Sequence, residues 1–170
     1  RVDLVIQTLN NSNDIDVYYT YKTIKAITSD IDQQLINIDL DTGYYAGQGL
    51  QYLEGKAPIA DNEIDLSLLN AEIIGKKIGE TISFSVGMDE YTFNLSGIYQ
   101  DVTSGGYTAK SIYSFPNIEG NKYTFAIDIN DDADPEIIAH EWTQLLDSSI
   151  KVYPMDIYIY LKHLVEYQHN

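Results

Sequence analysis

His140 and Glu141 stand side by side in a stretch whose apolar positions recur at helical spacing. A zinc-dependent protease presents its first imidazole ligand and its general base in that way, with a second imidazole one turn later on the same helix face. Position 144 is Gln, so one ligand stands where two are required, and His140 reads as a surface residue of an amphipathic helix. A second constellation, Asp128, Asn130, Asp131, Asp132 and Asp134, sets oxygen side chains at alternate positions, as the opening of a calcium loop does. Ala133 takes the place of the sharp-turn glycine, and Ala139 takes that of the bidentate glutamate at the twelfth position. An acidic turn that caps the following helix accounts for the same residues. Gly47 and Gly49 are followed by neither a third glycine nor a Gly-Lys-Ser/Thr closure, so they punctuate a turn and cradle no phosphate. The chain has no cysteine, which excludes a thiol nucleophile, a disulfide and a thiolate metal site, and it has no Gly-x-Ser-x-Gly elbow. A carboxylate pair for glycoside hydrolysis has no sequence signature among 26 acidic residues. His163 and His169 read as part of an exposed, fraying end. No catalytic, cofactor-binding or metal-ligating residue is therefore named, and no cofactor is expected.

The 10 basic and 26 acidic side chains leave a formal charge of −16. Such a field repels phosphate backbones and anionic headgroups, which argues against nucleic acid as a partner; it would attract cationic peptides, but a solvated acidic surface is the plainer reading. A hydrophobic share of 44% is enough to bury a core, and 170 residues suit one domain or two small subdomains around one. Fifteen tyrosines supply broad contact area with a polar tip, suited to half-exposed sheets and to interfaces. The longest apolar run, residues 157–161, is far short of the roughly 20 residues that cross a bilayer. The chain opens on Arg1 without a methionine or a signal peptide, and it reads as a piece of something longer.

The elements expected to carry these residues alternate between strand and helix signals. Residues 1–9 set Val2, Leu4 and Ile6 against Asp3, Val5 and Gln7, which reads as a strand. Residues 16–27 place Tyr18, Tyr21, Ile24 and Ile27 at three-residue spacing, which reads as a short helix, and residues 31–40 read as a strand. Ser67 is placed to cap a short helix ending before Gly75. Ile82, Phe84 and Val86, a Gly87-Met88-Asp89-Glu90 turn, and Tyr91, Phe93 and Leu95 form a hairpin with one apolar face. Residues 111–115 and 123–129 read as strands. Asp134, Pro135 and Glu136 open a helix whose apolar face is Ile138, Trp142, Leu145 and Leu146. Residues 151–153 read as a strand, and 155–167 as a helix carrying Ile157, Leu161, Leu164 and Val165. The fold class is α+β: mixed and antiparallel sheets with a few short helices, as one domain over 1–170 with room for an inserted strand-rich subdomain at about 45–115.

One run is more specific than composition. Leu53-Glu54-Gly55-Lys56-Ala57-Pro58, then Asp61-Asn62-Glu63-Ile64-Asp65-Leu66-Ser67, then Ile78-Gly79-Glu80-Thr81-Ile82 enter the hairpin in order, and the stretch from Leu95-Ser96-Gly97-Ile98-Tyr99-Gln100-Asp101 to Thr108-Ala109-Lys110 leaves it. This succession resembles the extracytoplasmic domain of FtsX-like, MacB-type ABC transporter permeases of the Gram-positive kind, over roughly residues 50–115. The resemblance implies a MacB periplasmic-domain-like fold on the outer face of the cell membrane, between the first and second membrane-spanning helices of a permease. It implies no chemistry in this domain. ATP would be hydrolysed by a separate ATPase subunit or domain, consistent with the lack of a Walker motif here. The expected partners are that ATPase through the rest of the permease, a second permease copy, and an extracellular peptide, lipoprotein or cell-wall hydrolase. The contrasting expectations are a secreted or wall-anchored adhesion module, and a hydrolase built on an unrecognised carboxylate pair. If a peptide is held, exposed tyrosines and the loop from Thr103 to Tyr107 are where loop physics directs attention, but Gly105-Gly106 reads first as a turn after a strand.

Overall fold

Ten strands and three helices are found in the computed structural model, which describes residues 2–31, 34–43, 50–101, 106–145, 150–153 and 158–162, with side chains for 2–28, 35–43, 50–101 and 106–145. In chain order they are α1 (Val2–Asn10), β1 (Ile15–Ile31), β2 (Gln34–Thr42), β3 (Gln51–Gly55), β4 (Glu63–Ser67), α2 (Leu68–Ile74), β5 (Thr81–Val86), β6 (Asp89–Gln100), β7 (Thr108–Ser111), β8 (Lys122–Ile129), α3 (Pro135–Leu145), β9 (Ile150–Tyr153) and β10 (Tyr158–Lys162). The chain forms two compact units, one from Arg1–Lys22 with Gly120–Asn170 and the other from Thr23–Glu119. The class is α+β, as its alternation of period-2 and helical signals implies. No described helix is long and apolar enough to cross a membrane.

In the first unit the strand order is β1–β8–β10–β9, with β10 antiparallel to both β8 and β9. Val5 and Leu9 of α1, Phe125 and Ile127 of β8, and Ile138 and Trp142 of α3 make its core. Each of those side chains is at most 6% exposed, a burial worth on the order of 1.5–3 kcal/mol apiece for the large aliphatics and Phe. Asp134 Oδ1 accepts the Glu136 backbone N–H at 2.9 Å, so α3 begins with the cap and proline that its sequence dictates.

In the second unit the pairings close on themselves. β1 pairs β5, β5 pairs β6, β6 pairs β4, β4 pairs β7, β7 pairs β2, and β2 pairs β1 again, a circuit of six strands to which β3 adds along β6. Two of the pairings, β4 with β6 and β2 with β7, are parallel. The interior is the set that alternates inward from every strand: Ile24 and Ala26, Ile38 and Leu40, Ile64 and Leu66, Ile82, Phe84 and Val86, Phe93 and Leu95, Ile98, and Ala109. A closed circuit leaves no long unpaired edge within it, and it fixes register because a one-residue slip would turn this whole set outward. Helix α2 is capped as expected: Ser67 Oγ accepts the Asn70 N–H, and Gly75, at φ 74°, ends it by donating to the Ala71 carbonyl at 2.8 Å.

Four sequence expectations are corrected. Residues 2–10 form a helix, because Val2, Val5, Ile6 and Leu9 also make a helical stripe, and that stripe is the one buried on β8 and α3 while Leu4 stays 41% exposed. Residues 16–27 lie within strand β1; the β-branched and aromatic side chains favour it, and Ile24 and Ala26 face inward with period two. Residues 158–162 of the expected terminal helix form β10, where Tyr158 to Lys162 pair with Ala126 to Lys122. The strand placed at 111–115 instead spans Thr108–Ser111, after which the chain leaves the sheet. The strands expected near 31–40, 123–129 and 151–153, the hairpin and both capped helices stand.

Candidate functional site

The positions that first invited a chemical reading serve structure. His140 Nε2 lies 3.1 Å from Gln144 Nε2 on the exposed side of α3, and no group of three metal-ligating side chains occurs among the described residues. In the acidic turn, Asn130 Nδ2 donates to the Asn13 carbonyl and Asn130 N to the Asp14 carbonyl, both at 2.8 Å, while Asp134 caps α3. The turn therefore holds the start of β1 to the end of β8 and spends its polar groups there. Gly47, Gly49, residues 102–105, His163 and His169 lie outside the described residues.

What the sequence did not single out is a polar network on the outward side of the closed circuit in the second unit. Asp41 of β2 and Lys110 of β7 face the same way in a parallel pair, and Lys110 Nζ lies 2.5 Å from Asp41 Oδ2. Thr23 Oγ1 of β1 donates to the other oxygen of Asp41 at 2.6 Å, so three strands meet on one carboxylate. The ammonium also sits 5.6 Å from the ring centre of Tyr99. The Tyr99 hydroxyl lies 2.6 Å from Thr108 Oγ1, which donates onward to Asp101 Oδ2 and so leaves Tyr99 as the donor of the first bond. Burial pushes the Tyr99 phenol far above its ordinary range, with Asp41, Asp101 and Tyr52 adding to the rise. Asn70 Nδ2 of α2 donates to the Thr108 carbonyl at 2.8 Å and ties the helix to β7.

Asp65 is the second buried carboxylate, fully excluded from solvent. Strand β6 has one residue more than β4 opposite it: Ile64 pairs Leu95 and Asp65 pairs Gly97. The extra residue, Ser96, turns its hydroxyl onto Asp65 Oδ1 at 2.5 Å. Burial pushes Asp65 up to about 6, opposed by its bonds to Ser96 and Tyr52 and reinforced by Glu63. A carboxyl of that acidity could move a proton, but it lines neither the depression between α1 and α3 nor the one beside Tyr91 and Tyr113. Thr23, Asp41 and Lys110, and Tyr99, Thr108 and Asp101, are thus linked across their strands, while Asp65 is held separately by Ser96. The arrangement locks strands together and presents no nucleophile beside a base.

Among the described residues, each unit has a depression on its surface. One, of about 560 Å³ in the first unit, lies between α1 and α3, walled by Leu4, Trp142 and Leu145 and rimmed by Asn11 to Asp14 and Glu141. The other, of about 300 Å³ in the second unit, is walled by Tyr91, Phe93 and Tyr113 with Asp61 and Asn62 at its edge. The signal that could have found the latter was present in the sequence as aromatic residues at the end of the hairpin's apolar face.

No protein-family model matches the chain, and no curated protein matches it by sequence. Among solved structures, the periplasmic region of MacB from Actinobacillus actinomycetemcomitans superposes on 99% of this chain and 81% of its own, with a TM-score of 0.57 at 14% identity. A domain of a protein named as a permease from Porphyromonas gingivalis covers 94% of this chain and 81% of its own, with a TM-score of 0.51 at 13% identity. The chain has the fold of the MacB periplasmic region.

Proposed function

We propose that the chain is an extracytoplasmic domain of an FtsX-like, MacB-type ABC transporter permease subunit. The observation that carries this reading is a coincidence of two kinds of residue. The run from Leu53 to Lys110 that resembles such permeases supplies the side chains that build the closed circuit: Glu63 caps its turn, Ser67 caps α2, Asp65 takes the Ser96 bond, and Tyr99, Asp101, Thr108 and Lys110 form the outward network. A fold shared with the periplasmic region of MacB and with a permease domain supports the same conclusion.

On this reading the domain does no chemistry. A cytoplasmic ATPase subunit or domain hydrolyses ATP, and the permease transmits the resulting motion to this domain, which handles a peptide, lipid or protein outside the membrane in export, resistance or control of a cell-wall hydrolase. The paired polar groups of Asp41, Lys110, Tyr99 and Thr108 suit a second unit that keeps its shape under load, since each would be costly to unpair. The full-length permease works as a dimer.

The reading is tested on the parent protein solubilised from membranes. Affinity isolation should recover an ATP-hydrolysing subunit or domain, and apolar segments of about 20 residues should flank this chain in the parent reading frame. Recovery from the secreted fraction, with a wall anchor and no flanking apolar segments, would replace it with the adhesion reading.

A further inference from the structure

We infer that the depression formed by Tyr91, Phe93, Tyr113 and Asp61 receives an arginine side chain of a polypeptide partner. Tyr91 and Phe93 are successive apolar-face residues of β6, opposite Phe84 and Ile82 of β5. Phe93 is buried and forms the floor, while Tyr91 is only partly covered. Tyr113 arrives from the segment that leaves the sheet after Ser111. Its backbone is held on both sides, its N–H donating to Ser111 Oγ at 3.0 Å and its carbonyl accepting from Thr42 Oγ1. The two tyrosine rings stand 5.8 Å apart at 50°.

The arrangement is held against a backbone preference. Phe115, fully buried, sits at φ 44°, a conformation that costs a non-glycine residue on the order of 1–2 kcal/mol. In return its ring stands edge-on to both tyrosines, 4.9 Å from Tyr91 and 4.7 Å from Tyr113. Strain retained in a buried residue beneath a half-open aromatic pair marks a position specified for more than packing.

The polar groups point to the ligand. Asp61 lies on a turn fixed by Glu63 Oε1, which accepts the Ile59 and Ala60 N–H groups at 2.9 Å each, and by Asn94 N, which donates to the Asn62 carbonyl at 2.7 Å. Among the described residues no hydrogen bond or ion pair engages the Asp61 carboxylate or the hydroxyls of Tyr91 and Tyr113. Aromatic faces beside a carboxylate attract a cation and repel phosphate or acidic side chains. A planar guanidinium can lie on a ring and meet a carboxylate with two N–H groups, which an ammonium cannot. The charge of −16 steers a basic partner toward the surface. The inference adds a partner class to the permease reading and rests on it only for the partner's biological meaning.

The test is calorimetric titration of the isolated 170-residue chain at about 0.15 M salt with acetyl-Gly-Arg-Gly-Arg-Gly-amide and with the same peptide carrying citrulline, which keeps the shape and removes the charge. The arginine peptide should bind, and the citrulline peptide should bind about tenfold or more weakly. Asp61→Asn and Tyr113→Leu should each weaken the arginine peptide by roughly 3- to 30-fold. Asp132→Asn, which removes an exposed charge from the other unit, should change it less than about twofold. Equal binding of the citrulline peptide, an Asp132→Asn loss as large as that of Asp61→Asn, or no binding of the arginine peptide at millimolar concentration would overturn the inference. Any of these would leave the membrane context of the chain untouched, because that is read from a different experiment.

Discussion

Ser96 Oγ stands 2.5 Å from Asp65 Oδ1, and it does so because Ser96 is the residue by which β6 exceeds β4. The bulge turns a hydroxyl that regular pairing would send elsewhere onto a carboxylate that is otherwise enclosed. Gly97, the next residue, leaves space for the other oxygen: a Cβ there would lie 2.7 Å from Asp65 Oδ2 and 2.4 Å from the Lys56 carbonyl.

Gly97→Ala should therefore cost about 2 kcal/mol or more, since a main-chain carbonyl and an enclosed carboxylate must both give way. Gly79→Ala is the informative contrast. No atom lies within 4 Å of its added Cβ, so only the strain of φ 92° remains, about 1–2 kcal/mol. Urea midpoints at constant slope measure both.

Asp65 gives the stability a particular pH dependence. Unfolded, it titrates near 3.9; folded, burial pushes it up to about 6. Between about pH 4 and pH 6 the unfolded chain has released this proton and the folded chain still holds it, so the contribution of Asp65 to stability falls as pH rises through that window and is level above it. The difference between wild type and Asp65→Asn should shift against the wild type by about 2 kcal/mol from pH 4 to pH 7. A shift of the opposite sign would mean that Ser96 and Tyr52 outweigh the burial.

The Asp41–Lys110 pair should be costly to break and cheap to replace. Lys110→Ala leaves Asp41 charged and enclosed and should cost about 3–5 kcal/mol. Asp41→Leu combined with Lys110→Met should recover most of that loss, leaving mainly the Thr23 bond unmade. A double variant as weak as the single one would show that the ion pair itself, and not the orphaned charge, carries the stability.

Trp142, the only tryptophan, reports on the first unit, and it distinguishes helix from strand at residues 2–10. Leu9→Ala should lower the fluorescence transition by about 2–5 kcal/mol, while Leu4→Ala should cost under about 1 kcal/mol. A strand with Val2, Leu4 and Ile6 on its buried face would reverse that order.

Legibility in the sequence followed how local each signal was. The hairpin of Ile82 to Leu95 and the caps at Ser67 and Asp134 are set by neighbours within a few residues, and they read directly. Residues 2–10 carry apolar side chains compatible with both periods, and only burial against Phe125 and Trp142 selects the helix. In β1 the three-residue recurrence of tyrosine and isoleucine hid a period-two interior of Ile24 and Ala26. The polar network was illegible for a plainer reason: Thr23, Asp41 and Lys110 are up to 87 residues apart and meet only once the circuit closes. The Tyr113 wall was hidden because residues 111–115 look like a strand, and the chain instead leaves the sheet at Ser111.

The proposed position on the outer face of a membrane is directly measurable, because this segment has no cysteine. Met88, fully exposed at the tip of the β5–β6 hairpin, can be replaced as Met88→Cys in the parent protein, and intact cells treated with a membrane-impermeant maleimide. A permease domain should be labelled at residue 88 without lysis, on a protein that sediments with the membrane fraction and resists extraction by high salt. Labelling only after lysis, or a labelled protein free in the medium or the soluble fraction, would contradict it.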